Sequence, residues 1–314
     1  MTKPSRRRRR KPSTDEPVDY WLDGVIIFAM VVGSFAGGAG CTALIVSSAK
    51  FSESVADSPR FLAWLTLIAA EGALAWAGFW PAAATCWTAC QRISGRNLSW
   101  LAATLGLLSA AAGVSVWLQP RAFPLAIHWP VSEARGNPIP WMTSLVMLPP
   151  LVAVLAMWLV AVQAKEAAEE APPKLATVTE YLGLRHRLQG LLWFGGVVIG
   201  GGVLATGTLR QALLDAKYTT LEAFPTTLVL AYGTFFTVLL MASYLPSFVL
   251  VQVAGKQLVS HLVGEKTDVI KWHEERDKLN KLLGLEVDLG NNLKSSLAIL
   301  APILAGLVSA AFPK

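Results

Sequence analysis

The chain reads as an all-α, polytopic transmembrane helix bundle with six spans and a seventh, C-terminal membrane helix. Three observations predict this. Of 314 residues, 54% are apolar and only 15% charged, and mean hydropathy is +0.48, whereas a soluble domain carries about 25% charged residues. The apolar residues fall in unbroken stretches of the ~20 residues that a ~30 Å hydrocarbon core demands of a helix. Such stretches are far too long for the alternating strands of a barrel. Finally, Lys and Arg are distributed unevenly between the loops.

Residues 1–20 form a basic tail (Lys3, Arg6 to Arg10, Lys11) followed by Pro and Ser, disordered by composition. It adheres to anionic lipid at about 1 kcal/mol per charge and lacks the aromatic or fold context of nucleic-acid binding. Residues 21–163 hold four membrane helices, at 24–48, 61–90, 99–119 and 141–163. A cytoplasmic amphipathic linker follows at 164–189, then helices at 190–209 and 226–252 within 190–252. A cytoplasmic helical segment occupies 253–294, and the last membrane helix 295–314. With the N-terminus inside, 20 Lys and Arg lie in cytoplasmic segments and 7 outside. That asymmetry predicts a plasma-membrane protein, bacterial inner membrane in type, with its N-terminus in the cytoplasm. Trp21, Trp64, Trp87, Trp100, Trp117, Trp141 and Trp193 mark the interfaces.

Within the linker, Pro172-Pro173 break one helix, and Val178, Tyr181, Leu182, Arg185 and Leu188 make a stripe expected on the membrane surface. In 253–294, Thr267 caps a helix that Gly284 stops. Val269, Trp272, Leu279 and Leu283 share one face of it, an expected docking face for a protein partner, a second copy or another part of this chain. In the last helix Leu293, Leu297, Leu300, Leu304 and Leu307 follow heptad spacing, a seam for another helix and a route to a homo-oligomer.

Glu71 stands out because it lies ten residues into its span, ~15 Å deep, at the bilayer midplane. An ionisable group there is costly and belongs against protein or water. At 100° per residue Ala75, Gly78, Ala82 and Ala89 fall on its side of the helix, while Trp76, Trp80 and Trp87 fall opposite. Glu71 therefore points inward. Thr237 sits at a similar depth on the sixth span, on a face shared with Tyr244. Pro149 and Pro150 in the fourth span free the carbonyls of Leu145 and Val146. Together these residues predict an intramembrane polar site of the kind that binds protons or small cations.

Gly33, Gly37 and Gly40 in the first span, and Gly196, Gly200 and Gly207 in the fifth, form small-residue faces for close helix packing. Gly200-Gly201-Gly202 lies mid-membrane with no Lys-Ser/Thr after it, so it is not a phosphate loop. Cys41, Cys86 and Cys90 lack ligand partners at metal spacing, and none of the four histidines is paired at such a spacing. No cofactor, metal site or catalytic motif is expected. Two functions remain. One is a non-catalytic membrane component or effector whose cytoplasmic helix docks a partner or second copy and controls the bundle. The other is a proton or small-cation transporter or channel working through Glu71.

Overall fold

The computed structural model describes residues 20–48, 58–93, 139–169, 175–217, 224–264, 269–285 and 289–311. Within them the protein is all-helical, with seven helices and no strand. We label them α1 (Tyr20–Ser48), α2 (Pro59–Arg92), α3 (Ile139–Glu169), α4 (Leu175–Asp215), α5 (Thr226–Val263), α6 (Val269–Leu282) and α7 (Leu289–Ala311). Helices α1 to α5 each contain an apolar stretch long enough to cross a bilayer, and α7 contributes a shorter one, Ser296–Ala311. Large apolar side chains line the outside, among them Phe28, Phe35, Trp87, Phe235 and Val238. That surface suits hydrocarbon rather than water. The expected span 99–119 and the basic tail lie outside the described residues.

Four helices form the centre. Each of α3 and α4 packs on both α2 and α5, and also on the other, so α2 and α5 stand diagonally across the bundle. Helix α1 packs on α2, and α7 fills the groove between α4 and α5. Neighbours run antiparallel except α3 with α5, both of which oppose α4, and two further cases. One is α2 and α3: Ala75 clusters with Val146, Cys86 Sγ donates to Val152 O at 3.7 Å, and Ala89 clusters with Leu159. Ile93 and Ile139 therefore lie at opposite ends of the bundle. The other is α4 and α7, where Gly196, Gly200 and Gly207 meet Ala298, Ala301 and Ser309 in order.

Two of these helices outrun a bilayer. At 1.5 Å per residue, 41 residues of α4 and 38 of α5 measure ~60 Å, about twice the hydrocarbon core. The stripe expected on the membrane surface is the first part of α4, with no break before the apolar run. Val178, Tyr181, Leu184 and Leu188 are buried in the main core with Met157, Val160, Leu258 and Val259. Their phase continues that of the span, and a long neighbour, α5, is there to cover them. Residues 175–189 thus belong to a helix and not to a separate linker.

The leucine seam of α7 is not the face that packs within the bundle. Leu297, Leu300, Leu304 and Leu307 face outward, while Ala298, Ala305 and Ser309 are buried. The small face wins because it lets the α7 backbone reach the glycines of α4 and α5, which leucines would hold apart.

Candidate functional site

One phase of α2 faces protein along its length: Glu71, Ala75, Ala82 and Ala89 are buried, with Glu71 5% exposed. Opposite Glu71 runs the glycine triplet of α4. A Cβ placed on Gly202 would stand 2.7 Å from Glu71 Oε1, and one on Gly201 would stand 3.7 Å from Glu71 Cγ. The missing side chains make room for the carboxyl against the α4 backbone. On the near side, Gly72 brings Cys41 of α1 in close; a Cβ on Gly72 would lie 2.8 Å from Cys41 Sγ.

The surroundings of this carboxyl are apolar. Toward one end of the bundle lie Ile68, Trp64, Phe61, Ala205 and Ala212, and toward the other Ala75, Val146 and Val198, all buried in a single cluster. Thr206, the nearest hydroxyl on α4 by sequence, donates to Gly202 O within its own helix at 2.8 Å. Among the described residues no group donates a hydrogen bond to Glu71 and no cation pairs with it. A carboxylate here would be an uncompensated charge in a low dielectric, whereas the protonated acid is a neutral dipole. Among the described residues no three His, Cys, Asp or Glu side chains come together as a metal site.

The other residues expected beside Glu71 are placed separately. Pro149 and Pro150 are buried in α3, which passes through them unbroken. Leu145 and Val146, whose carbonyls those prolines free, join the cluster around Cys41 and Ala75. Thr237 is turned away, since α5 is diagonal to α2. Its Oγ1 accepts a hydrogen bond from Ile303 N at 3.2 Å. The cause is Pro302, which sequence reading passed over. Proline has no N–H to offer Ala298 O and strains the turn around it. The Ala298 carbonyl is received against Gly196 of α4, the Pro302 carbonyl against Gly233 of α5, and the Ile303 amide by Thr237. Tyr244 is buried lower on α5, stacked on Phe248 at 5.6 Å.

Two of the three first-span glycines serve helix contacts. Gly37 lies against Gly72 O and the Trp76 ring, and Gly33 against Trp80; Gly40 has open space beside it. Trp76, on the side of α2 opposite Glu71, is half-buried over α1, because glycines there leave a slot its indole fills. Trp87 remains 70% exposed.

At the far end, α6 folds back on the bundle. Leu283 is fully buried, and Trp272 and Leu279 pack on the main core; the Val269 side chain lies outside the described residues. Trp272 Nε1 donates to Gly264 O at 3.0 Å, and the Arg276 guanidinium sits 5.0 Å over the Trp272 ring. Arg185 of α4 donates from Nη1 to Leu283 O. Gly284, at φ 61°, turns the chain so that Leu285 N bonds Asn280 O at 2.8 Å. That left-handed glycine and the arginine close a helix terminus whose carbonyls carry partial negative charge. The apolar face of α6 thus has a neighbour in this same chain. At the opposite end of the bundle, Arg60 of α2 pairs with Asp215 of α4 at 2.8 Å and bonds Gln211 at 3.2 Å. Compared with family models, curated proteins and solved structures, the chain matches none.

Proposed function

We propose that this protein is a proton-linked membrane transporter or channel in which Glu71 binds and releases the proton. The bundle lies in a plasma membrane of the bacterial inner-membrane type, with the α6 end in the cytoplasm. One observation carries the reading: a carboxyl 5% exposed, seated against Gly201 and Gly202 without a counter-charge, with apolar side chains above and below it. Such a group ionises only where water or a cation reaches it. Protonation and a change in the packing of α2 against α4 are therefore linked. At the level of the carboxyl only backbone lies opposite, while two turns along α2 the Phe194 ring of α4 fills the notch at Gly78 and must move with any such change.

A non-catalytic control element remains part of the proposal in altered form. The face of α6 expected to dock a partner is applied to α4 and α5, so the bundle itself is the first object of any control that α6 exerts.

The test is proton flux into liposomes containing the full-length protein, driven by a potassium diffusion potential and followed with an internal pH dye. The parent is expected to conduct and Glu71→Gln to abolish conduction while remaining folded. Equal flux from both, or none from the parent, overturns the proposal. Dicyclohexylcarbodiimide, which adds to protonated carboxyls in apolar settings, gives a cargo-free check. Glu71 is expected to be labelled, and labelling elsewhere only would count against it.

A further inference from the structure

We infer that α6 is a releasable strap that holds α4 and α5 together at one end of the bundle, with Arg185 as its clasp. The inference is independent of the role assigned to Glu71. Helix α6 has 14 residues, too few to be stable alone in water. Its middle, Glu274, Glu275, Asp277 and Lys278, is exposed. Anchoring is concentrated at its two ends.

Near its N-terminus Trp272 bonds Gly264 O at 3.0 Å, on the residue that ends α5. Past its C-terminus Arg185 of α4 holds Leu283 O. Leu283 itself is buried among Tyr181 and Leu184 of α4 and Leu258, Val259 and Val263 of α5. One residue past the Gly284 turn, Leu285 reaches α5; a Cβ on Gly255 would lie 2.6 Å from Leu285 Cδ2 and would also meet the Tyr181 hydroxyl. That hydroxyl donates to Val251 O at 3.1 Å, directly joining α4 to α5. The strap therefore crosses the seam between the two long helices, touching one at its start and both at its finish. A contact so sparse, around a helix mostly in water, opens before the helices beneath it do. Removing it frees the adjoining ends of α4 and α5.

Amide hydrogen exchange on the full-length protein in lipid nanodiscs tests this with Arg185→Gln, and with the exposed neighbour Arg187→Gln as control. Losing a hydrogen bond to a charged donor is expected to speed exchange in 269–283 by roughly tenfold to a hundredfold. Residues 178–188 and 254–263 are expected to accelerate with it, and Arg185→Lys to restore part of the protection. Leu283→Ala should give the same joint pattern with the arginine intact, and serves if Arg185→Gln does not fold. Identical exchange in the Arg185 and Arg187 variants overturns the clasp. Acceleration in 269–283 alone overturns the strap, since α6 would then be an appendage that holds nothing.

Discussion

Replacing Gly202 by alanine would put a methyl carbon 2.7 Å from Glu71 Oε1 and 3.5 Å from Glu71 Cδ. Relaxed carbon–oxygen contacts begin near ~3.3 Å, so the carboxyl must retreat by about half an ångström. It can, being the free end of a flexible side chain, at an off-rotamer cost of roughly 0.5–1.5 kcal/mol. Alanine returns about 1 kcal/mol over glycine in a helix interior. The variant is therefore expected to match the parent in stability while its carboxyl is displaced. Two neighbours calibrate the result. At Gly201 the added carbon meets Glu71 Cγ at 3.7 Å, an ordinary contact, so Gly201→Ala should equal or exceed the parent by up to about 1 kcal/mol. At Gly196 it meets the Ala298 backbone carbonyl, its carbon at 3.1 Å. Backbone cannot swing aside, so α7 must shift, at a cost of about 1–3 kcal/mol. Thermal unfolding by circular dichroism reads the stabilities, and carbodiimide labelling of Glu71, quantified by mass spectrometry, reads the carboxyl. Gly202→Ala alone should change the labelling rate. Parental labelling in that variant, or a Gly196→Ala no less stable than Gly201→Ala, would refute the packing geometry on which the site rests.

Thr237→Val leaves the Ile303 amide without its side-chain acceptor and should destabilise by about 1–3 kcal/mol, with Thr237→Ser restoring most of it; an unchanged melting point would contradict the role given to Pro302. Glu71→Gln, a neutral isostere in an apolar cluster, should stay within ~1 kcal/mol of the parent in the same melt, whereas a large loss would mean that an ion pair is missing from the description of the site. The Arg60–Asp215 pair, with side chains 40% and 42% exposed, should show a coupling below ~1 kcal/mol in a double-mutant cycle, weaker still at high salt.

Much of this arrangement is legible in the residues, though unevenly. The inward turn of Glu71 follows from Ala75, Ala82 and Ala89 sharing its phase, because small residues collect where a helix meets protein. The membrane helices announce themselves by length. Partnership is harder to read, since periodicity says which face is small or polar and nothing of what lies across from it. Thr237 has the depth of Glu71, yet depth does not tell whether two helices are adjacent or diagonal. Likewise the stripe around Tyr181 looks the same whether headgroups or a neighbouring helix cover it; the unusual length of α5 decides between them. In α7 the leucines carry the stronger pattern, but Ala298, Pro302 and Ala305 make the contacts, because close backbone approach outweighs side-chain bulk when lipid is as apolar as leucine. Pro302 itself has a signal, a helix breaker within an apolar run, though the Thr237 hydroxyl that accepts from Ile303, and the glycines of α4 and α5 that make room beside it, become apparent only in three dimensions.

The proline turn in α7 has a consequence for biogenesis. The slot that receives its loosened turn is built wholly from Gly196, Thr237 and Gly233, all of which precede it in the chain and leave the ribosome first. Until α7 arrives, those positions border lipid as an open furrow; until it docks, its own peptide groups near Pro302 have hydrocarbon for company. Each half shields the other's weakness, so insertion of α7 fills this groove, and a nascent chain halted before residue 296 would present quality-control machinery with it still open.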